Sequence, residues 1–351
     1  MRIPSFIKPG DTIGITAPSF GATTEPYITR FKEAVRLLKN EGFKIKIGAT
    51  CKKHDGLGIS SKPEVCAREL EDFYLDPEVK AIISCGGGEL MCETIGFVDW
   101  KKIKSAKPKW FMGYSDNTNF LYPLSTLCGV PGIYGHCISN FGKVWEQSEV
   151  ESINLLTGKN LTTHGFKMFQ LPEAGTEAKE ENPLSPYICT EKKILRNYLP
   201  VKGQLKKVSA SEEIVMEGTL LGGCLDVLSV LSGTALDGIK SFSKKHEKII
   251  WVLEACDCNP MDIRRSIWHL DKLGWFKNAS GFLIGRPLAA FRQEMMGVDA
   301  YNAVTDLVAK YKVPVIMDAD VGHIAPTMPL ILGADARVHA KNNALKVTHL
   351  L

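Results

Sequence analysis

No run of about 18 consecutive apolar residues occurs in this sequence, which excludes a membrane-spanning helix. Charge of one sign is equally scarce. The 43 Lys and Arg residues against 39 Asp and Glu leave a net charge of +4, spread without long runs, so there is no electrostatic footprint for nucleic acid or an anionic membrane surface. The ten cysteines include no C-x-x-C pair, and the lone C-x-C at Cys256 and Cys258 lies in His-poor sequence, so free thiols and no metal site are expected. Neither G-x-G-x-x-G nor Walker A spacing is present, which argues against a nucleotide cofactor. The first ten residues lack the apolar stretch of a signal peptide, and a cytoplasmic protein is expected. What remains is a globular chain of 351 residues, 44% hydrophobic, long enough for two cores and suited to a small-molecule or short-peptide partner, with a homodimer left open.

From the N-terminus the hydrophobic pattern alternates between periods. Asp11 to Ala17 reads as a strand ending at Pro18-Ser19, Ile28, Phe31, Ala34, Val35 and Leu38 keep a helical period, and Phe43 to Ile47 alternates again. Ser61-Lys62-Pro63-Glu64 has capping-box spacing and opens a helix through Ala67, Leu70 and Phe73. Val79 to Ser84 is a buried strand that empties into Cys85-Gly86-Gly87-Gly88-Glu89. Those glycines can expose backbone N–H groups at close range, as an oxyanion requires, or simply make a tight turn. The alternation to about residue 135 predicts an α/β fold with a doubly wound, mostly parallel, Rossmann-like sheet over residues 1–148. Residues 149–207, rich in Thr, Gly, Pro, Glu and Lys, read as an irregular connection shaping a cleft. Residues 208–351 read as a C-terminal mixed α/β domain ending in a hairpin around Lys341-Asn342-Asn343.

Three positions stand out by where they fall in this pattern. Ser115 follows the apolar run Trp110 to Gly113 and precedes a helix carrying Phe120, Leu121 and Leu124, so it occupies a strand-to-helix turn, as a nucleophile or as a plain cap. Glu254 directly ends the apolar strand Lys248 to Leu253, either as a functional carboxylate or as a solvated strand end. His323 lies on a stiff Gly322–Pro329 loop after the strand Val313 to Met317, with His136 as its rival. Arg264, in the helix Met261 to Leu273, is a candidate for holding a substrate carboxylate if that helix faces the cleft.

Taken in order, Lys8 to Gly14 with Ala17-Pro18-Ser19, the Gly86-Gly87 turn, Gly113-Tyr114-Ser115-Asp116, Leu253-Glu254, and Gly322-His323 with Pro326 and Pro329-Leu330 resemble the LD-carboxypeptidase family. That family includes murein tetrapeptide carboxypeptidases and microcin C self-immunity proteins. The resemblance implies a serine peptidase with Ser115 as nucleophile, His323 as general base and Glu254 orienting the imidazole. It places the oxyanion hole at the N–H groups of Gly87 and Asp116 and implies no cofactor and no metal. Gly86, Gly88, Glu89 and Arg264 are the substrate-binding residues it leaves to test. Release of a terminal D-amino acid by cutting an L-D bond of murein tetrapeptide is the expected reaction. A peptidyl-nucleotide or related amide conjugate is the alternative, favoured by the length of residues 149–207 although that segment holds no tryptophan to stack a base. A non-catalytic small-molecule binding protein on the same fold is the third reading, because Gly88-Glu89 and Ala255 to Cys258 depart from the family pattern.

Overall fold

The computed structural model describes all 351 residues. Two sheets organise the chain. The first runs, in spatial order, Leu330–Leu332, Gly132–Tyr134, Trp110–Gly113, Val79–Ser84, Thr12–Thr16, Lys44–Ile47. Its five N-terminal strands are parallel; the inner ones are hydrophobic and buried, as strands covered on both faces must be, whereas Lys44–Ile47 at the edge alternates Lys and Ile and is largely exposed. The sixth, Leu330–Leu332, arrives from the far end of the sequence and pairs antiparallel with Gly132–Tyr134. The second sheet has nine strands. Its centre is parallel, from Ile214–Cys224 through Ile249–Glu254 and Ala279–Gly285 to Val315–Ala319, and its flanks are antiparallel.

Residues 149–207 correct the expectation of an irregular connection. They contain the helix Pro172–Glu181, and their strands Thr162–His164 and Arg196–Val201 pair onto opposite sides of the nine-stranded sheet. Proline and glycine punctuate this segment without preventing short strands: Thr162–His164 lies at the sheet edge, and Arg196–Val201 takes its Pro200 beyond the residues that pair with Val315–Ala319. A smaller correction concerns residue 61. The helix Pro63–Leu75 is capped at Lys62 with no side-chain bond, so the Ser61 and Glu64 capping box does not form. The C-terminal hairpin of Asp335–Lys341 and Ala344–Leu350 forms as expected, with Asn342 and Asn343 both at positive φ, the backbone a two-residue hairpin turn requires.

The helix that follows Ser115, Thr118–Thr126, is buried all round because it lies between the sheets. Phe120, Leu121 and Leu124 share one continuous core with Leu220 of the strand Ile214–Cys224 and with Leu225 and Leu228 of the helix Leu225–Leu231 that follows it. Tyr122 stacks on Trp275 with ring centroids 4.8 Å apart. Thr118 Oγ1 accepts the Cys224 N–H at 3.0 Å. Side chains from both halves are therefore locked into one packed body, which fixes the carboxyl ends of the two parallel strand sets against each other. No helix is long and apolar enough to cross a membrane.

Candidate active site

Ser115 stands where the strand Trp110–Gly113 turns into a single 3-10 turn, Ser115–Asn117, ahead of the helix. Its φ of +63° is in the left-handed region, a strained setting for a residue with a Cβ and one that thrusts the hydroxyl out of the turn. The Asp116 side chain does not cap the helix. It turns inward to accept from Ser19 Oγ at 2.6 Å, the Met91 N–H at 2.9 Å and Asn119 Nδ2 at 2.7 Å, and burial pushes its carboxyl above the usual range against those bonds. This ties the turn to two neighbouring loops.

Glu254 and His323 meet Ser115 from the other sheet. His323 Nε2 lies 2.8 Å from Ser115 Oγ, and His323 Nδ1 lies 2.8 Å from Glu254 Oε2. Glu254 is fully buried at the end of its strand, so the solvated-strand-end reading is excluded. Burial by itself would depress His323, but the adjoining Glu254 carboxylate and the Cys256 thiol outweigh it and hold the imidazole well above its ordinary value. A hydroxyl, an imidazole and a buried carboxylate in this series can pass the serine proton to nitrogen and stabilise the resulting cation.

The His323 loop is braced from several directions. Gly322 has φ +108°, and a Cβ there would sit 2.4 Å from Glu254 Oε2, so only glycine lets the loop pass this close to the carboxylate. The Gly322 N–H donates to Thr327 Oγ1 at 3.1 Å. Asp320, wholly buried, accepts from Arg286 at 2.5 Å, Lys193 at 2.8 Å and the Phe166 N–H at 2.8 Å. Two of those donors come from residues 149–207, which thus hold the histidine loop as well as flank the cleft. His136, the rival imidazole, is buried elsewhere. Its Nδ1 is 2.7 Å from Ser152 Oγ, and burial pushes it down to about 4, so it is no base for Ser115.

Tyr134 is the residue the sequence reading passed over. Its hydroxyl accepts the Ser115 N–H at 3.1 Å and donates to Glu254 Oε1, joining the Ser115 backbone to the carboxylate. It ends the strand next to that of Ser115, and the carboxyl ends of parallel strands are where site residues gather, which is the signal that could have found it. Removing a buried bond to a charged acceptor costs about 1.5–3 kcal/mol. Tyr134→Phe is therefore expected to lower kcat about tenfold or more on any amide the protein cleaves, with little change in KM. Equal kcat in steady-state assays of the two proteins would show that this bond does not position the carboxylate.

A cleft of about 530 Å³ opens above Ser115, and Gly86, Gly87, Gly88 and Glu89 all line it. An ideal Cβ on Gly87 would lie 3.2 Å from Ser115 Oγ, so its backbone passes within reach of the hydroxyl. The Gly87 carbonyl is taken by the Phe20 N–H at 3.0 Å, and its own N–H has no acceptor in the chain. Glu89 is exposed at the rim, its carboxyl raised first by partial burial and then by Asp257, Asp116 and Asp226. Arg264 corrects the remaining expectation. Its guanidinium bonds the Asn302 carbonyl at 2.9 Å and Asp306 at 3.1 Å, bracing two helices, and it does not line the cleft. The apolar side of that helix, with Ile263, Ile267 and Leu270, faces the sheet and turns Arg264 elsewhere. Cys256, by contrast, does line the cleft beside His323. No group of three or more His, Cys, Asp or Glu side chains is arranged to hold a metal ion.

Residues 13–135 match the model of the LD-carboxypeptidase N-terminal domain, and residues 217–338 match that of the LD-carboxypeptidase C-terminal domain. The chain belongs to the LD-carboxypeptidase family. It is 26% identical over 348 residues to the microcin C7 self-immunity protein MccF of Escherichia coli, covering 97% of this chain and 93% of that protein. In fold it is similar to MccF in complex with glutamyl sulfamoyl guanosine, with a TM-score of 0.78 at 21% identity over 100% of this chain and 99% of the other. It is also similar to the muramoyltetrapeptide carboxypeptidase from Oxalobacter formigenes, with a TM-score of 0.69 at 19% identity over 96% of this chain and 98% of the other. At these identities the structural likeness carries the fold, and family membership carries the hydrolase class.

Proposed function

We propose that this member of the LD-carboxypeptidase family is a serine peptidase in which Ser115, His323 and Glu254 act as one catalytic unit. The observation that carries the reading is the unbroken series from Ser115 Oγ to His323 Nε2 and from His323 Nδ1 to Glu254, both at 2.8 Å. Ser115 Oγ attacks the scissile carbonyl carbon as His323 Nε2 takes its proton. Glu254 fixes the imidazole with Nδ1 protonated and stabilises the imidazolium. The tetrahedral oxyanion is held by the N–H groups of Gly87 and Asp116, each such donor contributing about 3 kcal/mol in the transition state. Collapse expels the amine, which receives the proton from His323, and water then attacks the acyl-enzyme by the same base. No metal or cofactor takes part in this scheme.

The substrate we assign is a murein tetrapeptide cut at its L-D bond to release terminal D-alanine. A second reading, hydrolysis of a peptidyl nucleotide or similar amide conjugate, is favoured by the likeness to MccF along nearly the whole chain and by the size of the cleft. Side-by-side incubation of the purified protein with both substrate types, read by mass spectrometry, separates them. Release of D-alanine alone supports the first. Cleavage of the conjugate alone replaces it with the second, and turnover of neither favours a binding protein.

The pH profile follows from His323. The base must be neutral to accept the serine proton, and its folded-state pKa is raised, so activity is lost as pH falls through that raised value. The acid limb of kcat/KM is expected above the ordinary imidazole value of about 6.5. A limb at or below it would mean that Glu254 does not control the imidazole.

A further inference from the structure

The cleft lining carries a cluster of basic side chains, and none of them forms a salt bridge within the chain. Arg30, Lys53, His54 and Lys179 all line the cleft, whereas Glu89 is the one carboxylate that does. Arg30 is 5% exposed, on the helix Tyr27–Asn40. Its Nε donates to the Pro183 carbonyl at 2.5 Å and its Nη2 to the Ser185 carbonyl at 3.0 Å, which leaves Nη1 without an acceptor. Lys179 comes from the helix Pro172–Glu181 and has neither a salt bridge nor a hydrogen-bond partner for its ammonium. Burial, followed by the neighbouring Arg30 charge, holds it below the usual lysine range. Glu149, the carboxylate whose charge acts on Arg30, is already taken by Lys143 at 3.0 Å and by the Tyr187 hydroxyl at 2.7 Å.

Keeping a buried guanidinium and a part-buried ammonium close together with no salt bridge to either is unfavourable. It becomes favourable once an anion bridges them, and a guanidinium fork with a free Nη1 suits the oxygens of a carboxylate or phosphate. The acids lie at the other end of the site: Glu89, Asp226 and Asp257 surround a pocket of about 120 Å³ that also reaches Ser115. A substrate's anionic end is repelled there and drawn to the Arg30 side.

We propose that Arg30 and Lys179, aided by Lys53 and His54, form a subsite for an anionic group of the substrate, a carboxylate or a phosphate, and so set which way the substrate lies across Ser115. This rests on the hydrolase reading for its role in turnover but not for binding. Affinity is therefore measured on the Ser115→Ala protein by calorimetry, with a murein tetrapeptide, the same peptide with every carboxyl amidated, adenosine monophosphate and inorganic phosphate as probes. Tight binding of the free peptide over its amide identifies a carboxylate as the natural anion. Preference for the two phosphates identifies a phosphate. In either case Lys179→Gln in the same background is expected to weaken the preferred anion about five- to tenfold, Lys179→Glu more, with affinity falling as salt is raised. The Lys179 ammonium makes no hydrogen bond or salt bridge within the chain, so these variants should fold normally, which thermal unfolding checks. Where the active protein turns over both peptides, Lys179→Gln should reduce the ratio of kcat/KM for free over amidated peptide by a similar factor. Equal affinity for free and amidated peptide with no phosphate binding overturns the subsite, as does Lys179→Glu binding the anion as well as its parent. Binding of the anion by the wild-type protein with no hydrolysis of either peptide would instead refute the hydrolase reading and leave the subsite standing.

Discussion

Ser115→Ala is expected to reduce kcat on the order of 10⁴- to 10⁶-fold, because the hydroxyl oxygen that forms the acyl bond is gone. His323→Ala should reduce it comparably, and the double variant should be no worse than either alone. Groups that act as one unit lose their joint contribution with the first removal. The fold should survive both. Ser115 and His323 are only part-buried, and their packing neighbours do not depend on them. Removing the serine also relieves nothing in the core, which is built from Phe120, Leu121 and Leu124 behind it. Single-turnover assays with mass-spectrometric detection, alongside thermal unfolding, check this. Residual turnover within about tenfold of wild type in either single variant would remove Ser115 and His323 from the chemistry.

Glu254→Gln should be nearly as damaging, on the order of 10³- to 10⁴-fold in kcat, for a reason specific to this site. The Tyr134 hydroxyl already accepts the Ser115 N–H, so its own hydrogen must go to the position of Oε1. In the glutamine variant that demand draws the amide oxygen towards Tyr134 and the amide NH2 towards His323 Nδ1. The imidazole must then accept at Nδ1 and carry its proton on Nε2, where it cannot take one from Ser115. Whatever activity remains should have its acid limb moved to lower pH, since the carboxylate that raised His323 is gone. Adding Tyr134→Phe frees the amide to flip. Glu254→Gln/Tyr134→Phe should therefore be more active than Glu254→Gln, although Tyr134→Phe alone slows the enzyme. If the double variant is further impaired, the tautomer argument is wrong and Glu254 acts through its charge only.

Much of the site was legible because its parts are local. Ser115, Glu254 and His323 each end a strand or follow one, and hydrophobic periodicity marks where strands end. The parallel sheet of the N-terminal half follows from strands that alternate with helices, and the terminal hairpin from alternation around Asn342-Asn343. Each of these is decided within about 20 residues of chain, the range over which pattern and turn chemistry operate. The order in which the three groups occur, with the Gly86-Gly87 turn, is also a property of the sequence, and it carried the family resemblance.

Other features belong to the tertiary structure alone. Ser115 and His323 are 208 residues apart, and their 2.8 Å contact depends on how the buried helix Thr118–Thr126 docks between two sheets. Periodicity tells which face of a helix is apolar but not which direction the other face looks. Arg264 was therefore misplaced, and Arg30, on a helix whose buried face was visible in the sequence, was not recognised as part of the cleft. Residues 149–207 look irregular because their strands are short and the partners that fix them in the nine-stranded sheet lie more than a hundred residues away. Tyr134 was hidden for the same reason: an aromatic at the end of a short apolar strand is ordinary core until Ser115 and Glu254 arrive from two different sheets to share its hydroxyl. A sequence specifies where polar groups emerge from the core, but which of them then meet is settled by packing, because the free energy that brings them together comes from the apolar surfaces behind them.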